Sequence, residues 1–385
     1  METEDKLTGV DIMKDVMGII HHLKNEDALG EISKHRCIAS VPFGGKYRLV
    51  DFVLSNMVNA GIRNIGVTTS LNMHSLMDHL GSGKEWGLDK RHEGLFILPT
   101  AHDNRDINTC KVDLEDLSNN LNYLLKSKQQ YVVIAGSNMI CNIDYGMVMQ
   151  FHREKQSDIT VIYKEDYVLY GDDIEENCFF EIGKDMRITA IYNKPRMKKR
   201  YKVSMDMYLM KKDLLLDILQ ECKKTGKRDL VKDIIGKGLH QLQVYGYEHQ
   251  GYLAIINTLN NYYRHHFELL NPEVWKELFF RYGVIYTKHK DGPPAKYSDA
   301  SKASNTMVAN GCRIEGTVEN SIIFRNVYIA KGASVKNSII MPKVEIEEDV
   351  ILDGVILDKD VLVRKGSRLI GNKDRPVVVG KKQVI

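Results

Sequence analysis

Apolar runs and helical stripes alternate through the first two thirds of the chain. Val16-Met17-Gly18-Ile19-Ile20 is an unbroken apolar run, the pattern of a strand buried on both faces of a parallel sheet. Ile65-Gly66-Val67-Thr68-Thr69, Tyr131-Val132-Val133-Ile134-Ala135 and Ile159-Thr160-Val161-Ile162-Tyr163 are three more such strands. Leu49, Phe52, Val53, Leu54, Met57 and Val58 recur at helical spacing, and Gly61 marks that helix's end. Segments 74–79, 211–222, 229–240 and 257–268 predict further helices, the last capped near Asn257, while 179–209 predicts more strands. The alternation predicts an α/β fold, an open and mainly parallel sheet with helices on both faces. Ligands of such a sheet sit beyond the carboxyl ends of its strands, which puts Asn138 near the chemistry.

From Val308 the texture changes to short β-branched runs separated by Gly311, Gly316, Gly332, Gly354 and Gly366. Stretches such as Val327-Tyr328-Ile329-Ala330-Lys331-Gly332 look like coils of a hexapeptide-repeat β-helix, each burying its face only by stacking on its neighbours. Lys288-His289-Lys290-Asp291-Gly292-Pro293-Pro294 is polar and proline-rich. The expected organisation is therefore a domain over 1–287, a linker over 288–303 and a β-helix over 304–385.

Candidate chemistry gathers at Pro42-Phe43-Gly44-Gly45-Lys46-Tyr47-Arg48, where two glycines permit turns closed to other residues and two cations suit a phosphate-bearing ligand. The turn after the first strand, 21–31, holds one glycine and three acidic residues, which is wrong for cradling a triphosphate. His21 and His22 are adjacent, and His74 and His79 are five apart, so neither pair converges on a metal. A net charge of +3 is too small to argue for nucleic acid. The six scattered cysteines carry no zinc spacing and predict reduced, mostly buried thiols. An acidic start and no apolar run long enough for a membrane predict a cytoplasmic protein.

The string P-F-G-G-K-Y-R-x-x-D-F-x-L-S-N-x-x-N-x-G-I, residues 42–62, resembles the glucose-1-phosphate adenylyltransferases, which make ADP-glucose. The resemblance implies a Rossmann-like (GT-A-like) nucleotidyltransferase domain followed by a left-handed parallel β-helix. It also implies Mg²⁺ and basic side chains at the transferred phosphate. Several of those groups are missing. The family's lysine before the string falls on Ile38, and its two metal-binding aspartates fall on Asn138 and Ile255. A nucleotide-contacting glutamine falls on Ser70. Each lost charge at the transferred phosphate costs roughly 2–4 kcal/mol of transition-state stabilisation.

The sugar side keeps more of the family's pattern. Asn193-Lys194-Pro195 resembles E-K-P, Ser204-Met205-Asp206-Met207-Tyr208 resembles S-M-G-x-Y, and 229–235 resembles D-F-G-x-D-I-I, so Lys194, Ser204 and Asp229 are expected in a vestigial sugar-phosphate pocket. Arg36, Lys46 and Arg48 match basic positions near the family's effector cleft and are expected to bind an anionic metabolite. A kept scaffold with erased nucleotide and metal groups looks like the GlgD-type regulatory subunits. That likeness implies no catalytic residue, metal or cofactor in this chain, with Mg²⁺ in a catalytic partner subunit and a mixed tetramer. A slow but genuine pyrophosphorylase and a free-standing sugar-phosphate sensor are the alternatives.

Overall fold

A computed structural model describes residues 13–22, 27–69, 72–90, 93–100, 112–168, 177–193 and 201–385. Lys194, Ser70 and Cys110 lie outside the described residues. The expected apolar runs form β1 (Val16–His21), β2 (Ile65–Thr69), β4 (Tyr131–Gly136) and β5 (Ile159–Lys164). They are joined by β3 (Leu95–Pro99), β6 (Phe179–Ile182), β7 (Ile188–Tyr192), β8 (Val203–Lys211) and β9 (Val244–Glu248). One sheet runs β3-β2-β1-β4-β8-β5-β9, and the β6–β7 hairpin joins at Val203. Strands β1 to β4 are parallel, whereas β8 runs against both β4 and β5. The start of β8 therefore lies beside the carboxyl ends of β4 and β5. No helix of the described residues is long and apolar enough to cross a membrane.

Helix α1 (Leu49–Asn59) occupies the predicted stripe and is buried almost throughout. The Asp51 carboxylate fixes its start, Oδ2 accepting from the Arg48 N–H at 2.9 Å. Just before it, Gly44 and Gly45 take φ of 57° and 81° to close the hairpin of Pro42–Phe43 and Tyr47–Arg48. Helix α2 (Lys212–Thr225) ends on Gly226 in the left-handed region. Helix α3 (Leu259–Glu268) is capped by Thr258, one residue later than expected, because the Thr258 hydroxyl reaches the Asn261 N–H at 3.1 Å.

The carboxy-terminal part is a left-handed β-helix of three five-stranded parallel sheets. Ile314, Ile329, Ile346 and Val363 stack in register along one sheet, and Ile322, Ile339 and Ile356 along another, all fully buried. Asn305, Asn320 and Asn337 sit at positive-φ corners, and their side chains bond from coil to coil. The β-helix begins earlier than the expected 304. Lys296–Tyr297 and Lys302–Ser304 already pair with the next coil, leaving 288–295 as connector. These two strands are polar and exposed, so no apolar run announces them.

The two domains share a core. Ile38, Phe43, Phe52, Ile140 and Tyr262 pack with Ile322, Phe324, Ile339, Met341 and Ile356 of the β-helix. Across the same seam, Tyr263 donates to the Asn337 carbonyl at 2.5 Å.

Candidate functional site

Two regions carry the residues singled out in the sequence. The first is the sheet end. His21 and Gly136 are register partners at the ends of β1 and β4. Beyond β4 the chain forms a ribbon, Met139–Ile140 against Ala254–Ile255, and the Ile256 N–H donates to the Asn138 carbonyl at 3.0 Å. Asn138 and Ile255 are thus brought together. Asn138 is 2% exposed, and its Oδ1 has no hydrogen-bond partner among the described residues. Ile255 packs with Met139, Cys141 and Leu253. Ile38 belongs to a different cluster, the seam that packs against the β-helix.

The sugar-side residues are engaged by the fold itself. Ser204 is buried in β8, where its Oγ accepts from the Asp206 N–H at 3.1 Å. Asp229 caps the helix Leu230–Gly236, accepting from Val231 and Lys232 N–H groups at 2.8 and 3.0 Å, while burial pushes its carboxyl pKa up. Lys194 lies outside the described residues, so the three are not seen together.

The second region is a pocket of roughly 130 Å³ between the domains. Lys46 and Arg48 line it from the glycine hairpin, Lys288 and Lys290 from the connector, and Arg325, Lys343 and Lys359 from the β-helix. Asp291 is the one carboxylate in the lining. Burial, then Arg325, lowers the Lys46 pKa; burial, then Arg48, lowers that of Lys290. The Lys359 ammonium, buried and facing Arg48, Arg36 and Lys290, is pushed down to about 7. Arg325 Nε is buried with no partner among the described residues. A lined, mutually repelling cluster of cations with an unmet donor is complementary to a multiply charged anion.

Three lining residues are already taken, the first being Lys288, whose ammonium donates to the Asp78 carbonyl and pairs with its carboxylate. Arg48 donates to the Ser75 carbonyl and hydroxyl at 2.5 and 2.9 Å, which aims its guanidinium along one wall. His79, also in the lining, holds Asp51 Oδ1 at 2.5 Å, and burial outweighs that carboxylate to lower its pKa. Arg36, expected at the anion, is not in the lining. It is 2% exposed and grips the fully buried Asp358 with bonds of 2.9 and 2.7 Å, tying the domains together. The five cations from the connector and the β-helix were not singled out in the sequence. Lys288 and Lys290 were visible only as linker polarity, and nothing local tells which β-helix corner faces the hairpin.

Known proteins agree with this architecture. The nucleotidyl transferase family model matches residues 29–276, and the GlmU-like C-terminal hexapeptide model matches 293–375. The chain is 35% identical over 366 residues to the glycogen biosynthesis protein GlgD of Bacillus subtilis (strain 168), covering 95% of this chain and 96% of that one. It is 39% identical over 320 residues to GlgD of Geobacillus stearothermophilus, covering 83% and 82%. It is 31% identical over 361 residues to the glucose-1-phosphate adenylyltransferase of Fervidobacterium nodosum, covering 93% and 86%. With the matched sheet, β-helix and glycine hairpin in place, the chain belongs to the nucleotidyl transferase family, in the group that includes GlgD and the glucose-1-phosphate adenylyltransferases.

Proposed function

We propose that this chain is a regulatory subunit of a glucose-1-phosphate adenylyltransferase, acting in ADP-glucose supply for glycogen and not itself catalytic. The observation that carries the reading is the ribbon at the sheet end, which brings together Asn138 and Ile255, the two positions that the resemblance assigns to the family's metal-binding aspartates. An amide oxygen without charge and a buried sec-butyl group are poor ligands for a hard divalent cation. The names of the GlgD relatives support the pathway. The basic pocket supports a role in sensing, since an anion held there touches both domains and biases how they sit together.

The partner is a catalytic homologue, joined in a mixed oligomer, and the effector is a small phosphorylated metabolite. Co-expression with a catalytic glucose-1-phosphate adenylyltransferase tests this. The pair is expected to co-elute, and its ADP-glucose synthesis is expected to respond to phosphorylated metabolites differently from the catalytic subunit alone. The purified chain alone is expected to show negligible turnover with saturating Mg²⁺. Turnover by the chain alone at its relatives' rate sinks the reading.

A further inference from the structure

Asp206 is 2% exposed and has a φ of 53°, in the left-handed region that glycine adopts freely and aspartate does not. Strand β8 is irregular there, its pairing with β5 slipping between Ser204 and Met207. The carboxylate is held in place. Tyr208 donates to Oδ1 at 3.1 Å, and His21 Nε2 lies 3.1 Å from Oδ2. Oδ2 also lies 2.9 Å from where a Cβ on Gly136 would stand, and Asn138 Oδ1 lies 3.1 Å from that same point. The Asp206 side chain therefore crosses the carboxyl end of β4 to reach the end of β1, over a residue with no side chain of its own. That is the ligand position of an open parallel sheet.

We propose that Asp206 closes this pocket to phosphate esters. Its side chain fills the space over Gly136, and its oxygen, beside the Asn138 oxygen, sets acceptors where a phosphate needs donors. The sheet end thus rejects a sugar phosphate by occupancy and by facing its oxygens with oxygens. Rejection at this pocket stands whether or not the chain works as a subunit of a larger enzyme.

The test is glucose 1-phosphate binding by calorimetry to the full chain at fixed salt. Lys46→Ala and Arg325→Ala are introduced first, so that the interdomain pocket contributes no heat. This background is expected to show no saturable binding at millimolar ligand. Adding Asp206→Gly is expected to create a site at least tenfold tighter, and Asp206→Asn, which keeps the bulk, a smaller gain. Asp206→Gly suits a backbone φ of 53°, so the fold is expected to hold. If a thermal melt shows Asp206→Gly unfolded, Asp206→Asn carries the test alone. No gain in a folded variant overturns the proposal, as does a background that already binds as tightly as Asp206→Gly. Co-elution with a catalytic homologue is a separate readout, so failure here and failure of the subunit reading are distinguishable.

Discussion

At the sheet end the polar positions hold an amide, an alkane and an inward carboxylate; at the domain seam, seven cationic side chains surround roughly 130 Å³. Both pockets are framed by the same fold, and both lie where a ligand-binding α/β chain with an appended β-helix offers a cleft. The difference between them is charge. One presents uncharged or acceptor side chains, and the other gathers cations whose burial and mutual repulsion depress Lys46, Lys290 and Lys359. Holding such a cluster together without an anion is unfavourable, so the seam, unlike the sheet end, is complementary to one.

The largest way to break this contrast is to separate the domains that form the second pocket. Arg36 and Asp358 are an ion pair almost wholly out of water, and removing one partner strands the other. Arg36→Met is expected to cost about 3–5 kcal/mol of stability, read from urea unfolding. Adding Asp358→Leu is expected to recover most of it, because the surrounding seam of Ile339, Met341 and Ile356 is apolar. Arg36→Met with an unchanged unfolding midpoint refutes the tie.

A second change tests the pocket itself. Arg325 has an unmet buried Nε, and Lys46 faces it from the other domain. Arg325→Ala is expected to weaken binding of inorganic sulfate about 10- to 100-fold, the range of one lost charge-assisted bond. The same substitution leaves the sheet end untouched, so any binding measured there is unaffected. Equal sulfate affinity in Arg325→Ala and the unaltered chain sinks the assignment of an anion to the seam.

Much of the first domain was legible because its signals are local. The runs at 16–20, 65–69, 131–135 and 159–163 became buried strands, and the stripe from Leu49 became α1, since periodicity and burial agree there. Strands β3 and β9 were not legible: Leu95–Pro99 is an edge strand with mixed exposure, and Val244–Glu248 alternates with glycine and tyrosine. The first β-helix coil was hidden for a related reason, its strands being exposed and polar. At the sites, a motif match assigns positions but not orientations. Arg36 and Ile38 flank Cys37, yet the first grips Asp358 while the second faces the apolar seam. Ser204 and Asp229 kept their identities while their oxygens bonded to the backbone. The cations from the β-helix reach the hairpin only through the way the domains dock, which a chain read in order does not reveal. Asp206 did leave a trace, an aspartate standing where S-M-G-x-Y has glycine.

The smallest and sharpest effect is on pH. Lys359 titrates near 7 in the folded chain, against 10.5 for a free lysine, because burial and three neighbouring cations oppose its charge. A depressed base binds fewer protons folded than unfolded between those two values, so its contribution to stability grows as pH rises from about 7. Anion binding has the opposite slope. A bound dianion favours the charged ammonium, so the complex takes up a proton above pH 7 and affinity falls as pH rises. Sulfate keeps its charge across this range, so the slope belongs to the protein. Its affinity is expected to drop about tenfold between pH 7 and 8.5 in the unaltered chain. Lys359→Met is expected to bind more weakly at pH 7 and to lose most of that slope. Lys343→Met is expected to bind more weakly at every pH and to keep the slope, since Lys359 is intact in it. A pH profile of equal steepness in Lys359→Met would place the titrating group elsewhere in the seam, and Lys290, whose pKa burial and Arg48 also lower, would be the next to substitute.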